Sequence, residues 1–264
     1  MDDSGIRISE LEEKNIDVIH ISPSHQFPTG ITMPIGRRYE LLGWASKAPS
    51  RYIIEDDYDS EFRLTGQPIP TLQSIDVLEK VIYINTFTKT LASTVRISYM
   101  VLPKHLVKAY YAKMQFYSCT VSGFEQYAMA AFLEKGYFER HIRRLLNDYR
   151  GQRERICRMF RESPLSQISQ IYQDDAGTHF LLHVRTELSD VEIKWAARQR
   201  GILVNCLSEY CFADAQKYRG ILVIHYSDMA DEILQKVIGA LEEIFCNYSE
   251  PCKTAFCECL HSGR

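Results

Sequence analysis

Residues 81–102 have the sequence VIYINTFTKTLASTVRISYMVL, in which two apolar, β-branched runs flank a polar segment. The runs Val81–Ile84 and Ile97–Leu102 are typical of buried strands, so we expect the polar segment to lie at strand ends. This segment carries one lysine, Lys89. A lysine amine at the edge of a sheet, screened from bulk water, is a candidate for Schiff-base chemistry with a carbonyl compound.

Three side chains near this lysine could hold a phosphate group. The hydroxyls of Thr86 and Thr88 precede Lys89, and the guanidinium of Arg96 follows it. Hydroxyls and a guanidinium bind phosphate through hydrogen bonds and charge. A lysine beside such a cradle is what pyridoxal phosphate requires of a protein. For this segment alone, a solvated loop is the alternative interpretation.

A second segment, residues 51–62 with the sequence RYIIEDDYDSEF, places acidic residues directly after a short apolar run. Open α/β sheets bind their ligands at the carboxyl ends of the strands. Asp56 there could keep a pyridine nitrogen protonated, and the Tyr58 hydroxyl could bond the phenolate oxygen of the same ring. A solvated acidic turn is the alternative interpretation of this segment.

Together with SHQFPTG at residues 24–30, these two segments resemble the aminotransferase-like domain of MocR-type, GntR-family bacterial regulators. That domain is a branch of the fold-type I (class I/II) pyridoxal-phosphate proteins, and the resemblance covers nearly the whole chain. It implies that Lys89 holds pyridoxal 5'-phosphate as a Schiff base, that Asp56 contacts the pyridine nitrogen and that Tyr58 contacts the ring oxygen. It also implies that the phosphate is bound by Thr86, Thr88 and Arg96.

The chain departs from the family pattern in three places. Phe27 stands where conventional aminotransferases have an asparagine, a change typical of the regulator branch, and Ser93-Thr94 replaces a common Pro-Gly pair. In an ungapped match, Asp228 occupies the position of the arginine that binds an amino-acid carboxylate in relatives. An aspartate would repel a carboxylate, which argues against transamination of ordinary amino acids.

Composition limits the class of protein. The chain has 264 residues, of which 45% are hydrophobic and 25% charged, as expected for a soluble globular protein with a sizeable core. A net charge of −3 does not indicate that the chain as a whole binds nucleic acid. No apolar run approaches the ~20 residues of a membrane span, and no signal peptide is visible. We therefore expect a cytoplasmic protein whose eight cysteines are reduced thiols.

Hydrophobic periodicity predicts an α/β fold: a mostly parallel sheet with helices, followed by a small α+β domain. On the resemblance, residues 1–150 form the C-terminal portion of the cofactor-binding large domain and residues 151–250 the small domain, with a cysteine-containing tail at 251–264. The predicted helices span 34–48, 103–117, 124–160 with a break at Gly136, 190–201 and 231–245. Residues 171–184 are expected to form a strand pair or one long strand.

Relatives of this type carry an N-terminal winged-helix DNA-binding domain and a first half of the large domain, and nothing in the chain matches either. The resemblance implies an amine or amino-acid effector, a homodimer, contact with DNA only through the unmatched domain, and no membrane partner. Three functional hypotheses follow. The chain is a cofactor-binding effector domain of a regulator, an active class I/II aminotransferase in which Lys89 also moves the proton, or a truncated remnant that no longer binds the cofactor.

Overall fold

The computed structural model of the protein describes residues 1–64, 69–172, 177–212, 215–226 and 229–245. These residues form two compact units. The first contains residues 1–148 together with Gly177, and the second contains the described residues from Tyr149 onward apart from Gly177. Two features of the sequence analysis, Asp228 and the tail at 251–264, lie outside the described residues.

The first unit contains one four-stranded sheet and several helices. Its strands are β1 (Val18–Ile21), β2 (Tyr52–Asp56), β3 (Val81–Thr86) and β4 (Ser98–Val101). Its helices are α1 (Ile8–Glu13), α2 (Ile35–Ser46), α3 (Leu72–Ile75), α4 (Lys104–Met114), α5 (Gly123–Glu134) and the start of α6 (Tyr137–Glu162). Helix α6 continues into the second unit.

The strands of this sheet lie in the order β1-β2-β3-β4. Strands β1, β2 and β3 are parallel, whereas β4 is antiparallel to β3. Because β1, β2 and β3 run in the same direction, their carboxyl ends meet at one edge. The register places Asp56 opposite Ile84 and His20 opposite Ile54. The two segments singled out in the sequence therefore end at the same edge of the sheet.

One face of β1 and β2 is covered by helix α2. Leu41, Trp44 and Ala45 of this helix are essentially inaccessible to solvent. They belong to one buried cluster with Ile19 and Ile53 of the sheet. Burying an aliphatic or aromatic side chain of this size contributes about 1.5–3 kcal/mol. This cluster therefore fixes the strands that carry the acidic segment.

Besides the end of α6, the described residues of the second unit form one antiparallel sheet and two further α-helices. The strands are β5 (Ser169–Tyr172), β6 (His179–Val184), β7 (Asn205–Cys206) and β8 (Ile221–His225), and the helices are α7 (Asp190–Gln199) and α8 (Asp231–Phe245). The strands lie in the order β5-β6-β8-β7. Ser189 and Glu192 form a capping box at the start of α7, which satisfies backbone N–H groups that the first turn leaves unpaired.

Most of the predicted elements are confirmed. The long helical pattern divides at Gly136, whose φ of +65° suits glycine, so that α5 ends at Glu134 and α6 begins at Tyr137. The pattern at 171–184 is a pair of antiparallel strands, β5 and β6. Among the described helices, none combines the length and apolar character that crossing a membrane requires.

Candidate functional site

The predicted site residues of the two segments lie at the carboxyl edge of the first sheet. Asp56 is the last residue of β2, and Thr86 is the last residue of the neighbouring strand β3. Asp56 pairs in register with Ile84, and Thr86 lies two residues further along β3. Because side chains alternate between the faces of a sheet, those of Asp56 and Thr86 lie on the same face. The carboxylate and the loop that carries Lys89 thus leave the sheet side by side.

The loop of residues 87–97 connects β3 to β4 and is closed by its own hydrogen bonds. The Phe87 N–H donates to the Ile97 carbonyl at 3.0 Å, and the Thr88 hydroxyl donates to the Val95 carbonyl at 2.9 Å. Its first turn is helical, since the Leu91 N–H donates to the Phe87 carbonyl at 3.0 Å. Lys89, within that turn, is exposed to solvent, so the expectation that its amine is screened from bulk water is wrong for the described structure.

The predicted phosphate-binding side chains lie around this loop. The hydroxyl oxygens of Thr86 and Thr88 are 3.0 Å apart, and both residues are half-buried. Arg96 is exposed, close to the point where the loop rejoins the sheet. The Thr86 hydroxyl thus lies at the end of β3, and the Thr88 hydroxyl and the Arg96 guanidinium belong to the loop that carries Lys89. The Thr86 hydroxyl donates to the Ile97 carbonyl at 3.3 Å, and the Thr88 hydroxyl donates to the Val95 carbonyl.

Helix α6 supports the loop from behind, through its residue His141. His141 Nε2 lies 2.7 Å from the carbonyl oxygen of Thr90, the residue after Lys89. A carbonyl only accepts hydrogen bonds, so this nitrogen carries the hydrogen. The Phe138 ring also contacts Phe87 edge-on, with centroids 5.7 Å apart. The first turns of α6 therefore fix the turn that presents Lys89.

The Asp56 carboxylate has a partner on the neighbouring strand. Its Oδ2 lies 3.1 Å from His20 Nε2. The side chain of Asp56 is 33% exposed and that of His20 is 60% exposed, so a ligand can reach both. In the sequence, His20 stands between the apolar residues Ile19 and Ile21. This local pattern does not indicate a contact with Asp56.

Tyr58 has a different bond from the one that the resemblance implies. Its hydroxyl donates to the backbone carbonyl of His25 at 2.9 Å. Burial, together with the negative charges of Asp59 and Asp56, raises the pKa of Tyr58 well above its usual value, so the hydroxyl keeps its hydrogen. A hydroxyl has one hydrogen, so donation to a ring oxygen requires this hydrogen to turn away from the His25 carbonyl.

The SHQFPTG loop is joined to the acidic segment by a buried pair. His25 Nδ1 lies 2.8 Å from Asp59 Oδ2, and each side chain is only 2% exposed. Burial raises the pKa of the Asp59 carboxyl, and the hydrogen bond and charge of His25 offset part of this rise. Neighbouring Gln26 instead bonds within its own loop, where its Oε1 accepts from the Ser22 N–H at 3.3 Å.

The same segment borders a cavity of about 270 Å³. The residues around it combine hydroxyls, carboxylates and guanidiniums: Ser24, His25, Arg38, Asp59, Ser60, Glu61, Arg63, Ile69 and Thr71. Beside it, buried Asp57 accepts hydrogen bonds from the hydroxyls of Tyr83 at 2.8 Å and Ser60 at 2.7 Å. These acidic groups hold the segment after β2 in place, whereas Asp56 faces the other side of the sheet.

The donor set at the edge fits pyridoxal phosphate in its chemistry. Asp56 supplies a carboxylate for a basic ring nitrogen, Lys89 an exposed amine for an aldehyde, and Arg96 a guanidinium for a phosphate. The hydroxyls of Thr86 and Thr88 lie 3.0 Å apart where β3 passes into the same loop. Tyr58 fits only after its hydroxyl hydrogen turns.

No family model matches the chain. It is 38% identical to the HTH-type transcriptional regulator YdeL of Bacillus subtilis, over 77% of this chain and 44% of that protein. It is 31% identical to the probable rhizopine catabolism regulatory protein MocR of Rhizobium meliloti, over 86% of this chain and 45% of that protein. The chain thus spans about half the length of the curated relatives it matches.

The fold is similar to that of solved aminotransferases. The kynurenine aminotransferase of Pyrococcus horikoshii superposes with a TM-score of 0.80 at 24% identity, over 94% of this chain and 62% of that one. This likeness confirms the predicted fold class, and the regulators confirm the resemblance seen in the sequence. The chain is a homologue of the MocR-type transcriptional regulators, of which it spans about half, and it has the fold of the fold-type I aminotransferases.

Proposed function

We propose that this chain is the pyridoxal-phosphate-binding effector domain of a MocR-type regulator, with the cofactor held as a Schiff base on Lys89. The observation that carries the proposal is the edge of the first sheet, where Asp56 ends β2 and the loop with Lys89 and Arg96 follows β3. When bound, pyridoxal phosphate supplies an aldehyde that condenses with amines and a ring that withdraws electrons. It would therefore report an amine or amino-acid effector.

Each residue of the site has a separate role in this proposal. Lys89 anchors the cofactor, Asp56 binds its ring nitrogen, and Tyr58 donates to the ring oxygen once its hydroxyl hydrogen has turned. The phosphate is held by hydroxyls and charge, from Thr86, Thr88 and Arg96. The helical turn between Phe87 and Leu91 keeps the backbone around Lys89 fixed, which lowers the entropy lost when the cofactor binds.

Two features favour sensing over catalysis. The closely similar proteins are named as regulators, and Phe27 stands where a conventional aminotransferase has an asparagine. Active transamination is the second candidate, and the aminotransferase fold is what favours it. We propose that the whole regulator is a cytoplasmic homodimer and that it contacts DNA through a winged-helix domain outside this chain.

Absorbance spectroscopy with added pyridoxal phosphate tests the proposal. A Schiff base absorbs in the visible region, and we expect this band in the wild type and in Lys113→Ala, which removes an exposed lysine of α4. We expect Lys89→Ala to lose the band. Its absence from the wild type would overturn the proposal and favour the hypothesis that the chain does not bind the cofactor. If the band forms and an added amino acid converts the cofactor to its amine form, the chain is an aminotransferase.

A further inference from the structure

The pair of His20 and Asp56 has a geometry suited to positioning a carboxylate for a ligand. His20 lies on β1 and Asp56 ends β2, and the register places both side chains on the same face of the sheet. His20 Nε2 lies 3.1 Å from Asp56 Oδ2. Within the described part of the chain, His20 is the side-chain partner of this carboxylate, and the bond uses Oδ2 alone. The second oxygen, Oδ1, is left for a ligand.

The contribution of this pair to folding is small. Both side chains are well exposed, with 60% of His20 and 33% of Asp56 accessible to solvent. Ion pairs and hydrogen bonds at such exposure are weak because water competes for both partners. By contrast, the buried pair of His25 and Asp59 is almost inaccessible. Fold stability therefore gives little reason for placing an imidazole beside Asp56.

The pair does restrict the orientation of the carboxylate. The terminal torsion of an aspartate has a broad, two-fold distribution, so an unbonded carboxylate at a strand end samples many orientations. A hydrogen bond to Oδ2 selects one of them before any ligand arrives. A group that is already oriented loses less conformational entropy on binding, and affinity rises by that difference.

We propose that His20 is a positioning residue of the cofactor site, which holds Asp56 so that Oδ1 faces the ring nitrogen of pyridoxal phosphate. This inference rests on the proposed function, because it assigns Asp56 to that nitrogen. His20 acts through Asp56 and does not itself touch the cofactor.

The test compares two substitutions that differ in one property, the hydrogen-bond donor. His20→Val keeps a strand-forming side chain and removes the donor, whereas His20→Gln retains an amide N–H that can reach the carboxylate. We expect His20→Val to bind pyridoxal phosphate about five-fold more weakly, because one hydrogen bond is lost. We also expect the substitution to shift the absorbance maximum of the bound cofactor. We expect His20→Gln to retain most of the affinity. Val18→Ala, on the same face of β1 but one step away, is the control.

A second measurement needs no cofactor. The imidazole nitrogen resonances of His20 report its hydrogen bonding, and Asp56→Asn should change them in the cofactor-free chain. Unchanged resonances would show that the pair does not form and would overturn the inference. If the wild type gives no Schiff base on Lys89, the proposed function fails while this spectrum still decides whether the pair exists. If the Schiff base forms and His20→Val binds as tightly as the wild type, or His20→Gln is equally impaired, the positioning role is wrong.

Discussion

Gly177→Ala tests the packing under the SHQFPTG loop. Gly177 has a φ of +71°, and a Cβ built on it would lie 2.0 Å from Cε1 of His25. The left-handed conformation costs a non-glycine residue about 1–2 kcal/mol. The methyl group also displaces the His25 ring from Asp59, which removes a buried hydrogen bond to a carboxylate worth about 1.5–3 kcal/mol. We therefore expect a loss of about 2.5–5 kcal/mol in unfolding free energy.

Urea unfolding followed by circular dichroism measures this loss. Gly43→Ala is the matched control, because Gly43 lies inside α2 and a Cβ there meets nothing within 4 Å. We expect that control to gain about 0.5–1 kcal/mol from helix propensity. In a His25→Ala background, Gly177→Ala should lose only the backbone contribution, about 1–2 kcal/mol. A Gly177→Ala variant as stable as the wild type would refute this packing argument.

Two further predictions concern Glu61 and the support of the Lys89 loop. Burial raises the pKa of the Glu61 carboxyl above 4.5. The folded state therefore binds this proton more tightly than the unfolded state, and the unfolding free energy that this contributes is lost as the pH rises from 4.5 through the raised pKa. Glu61→Gln should therefore give a flatter dependence of the urea midpoint on pH, and parallel curves would contradict this. His141→Leu removes the bond to the Thr90 carbonyl and should weaken pyridoxal-phosphate binding about five-fold. Arg144→Leu, an exposed change on the same helix, should leave that affinity unchanged.

The sequence predicted the strands and the residues that end them because these depend on local patterns. The apolar runs before Asp56 and around Lys89 identify strands, and polar residues directly after the runs that precede Asp56 and Lys89 mark the strand ends. The expectation that both runs around Lys89 are buried is wrong for β4, whose four residues are all exposed at the end of the strand order. The direction of β4 has a local signal as well. The connection between β3 and β4 has eleven residues with only one helical turn, whereas a parallel crossover needs a dozen or more, usually with a helix.

The contacts within the site could not be predicted in the same way. The partners His20 and Asp56 are 36 residues apart, and His25 and Asp59 are 34 apart. Periodicity shows which face of a strand a residue occupies, but the pairing depends on the order and register of the strands. The sequence around His141, which two arginines follow closely, does not indicate a contact with the Lys89 loop. Its bond to the Lys89 loop appears only when α6 packs behind that loop.

The covalent anchoring of the cofactor by Lys89 is the central claim. Its most direct test is reduction of the chain with borohydride in the presence of pyridoxal phosphate, followed by peptide mapping by mass spectrometry. Reduction fixes a Schiff base permanently on the lysine that formed it. We predict one stoichiometric pyridoxyl adduct, on Lys89. An unmodified Lys89, or adducts spread evenly over the exposed lysines, would contradict the account.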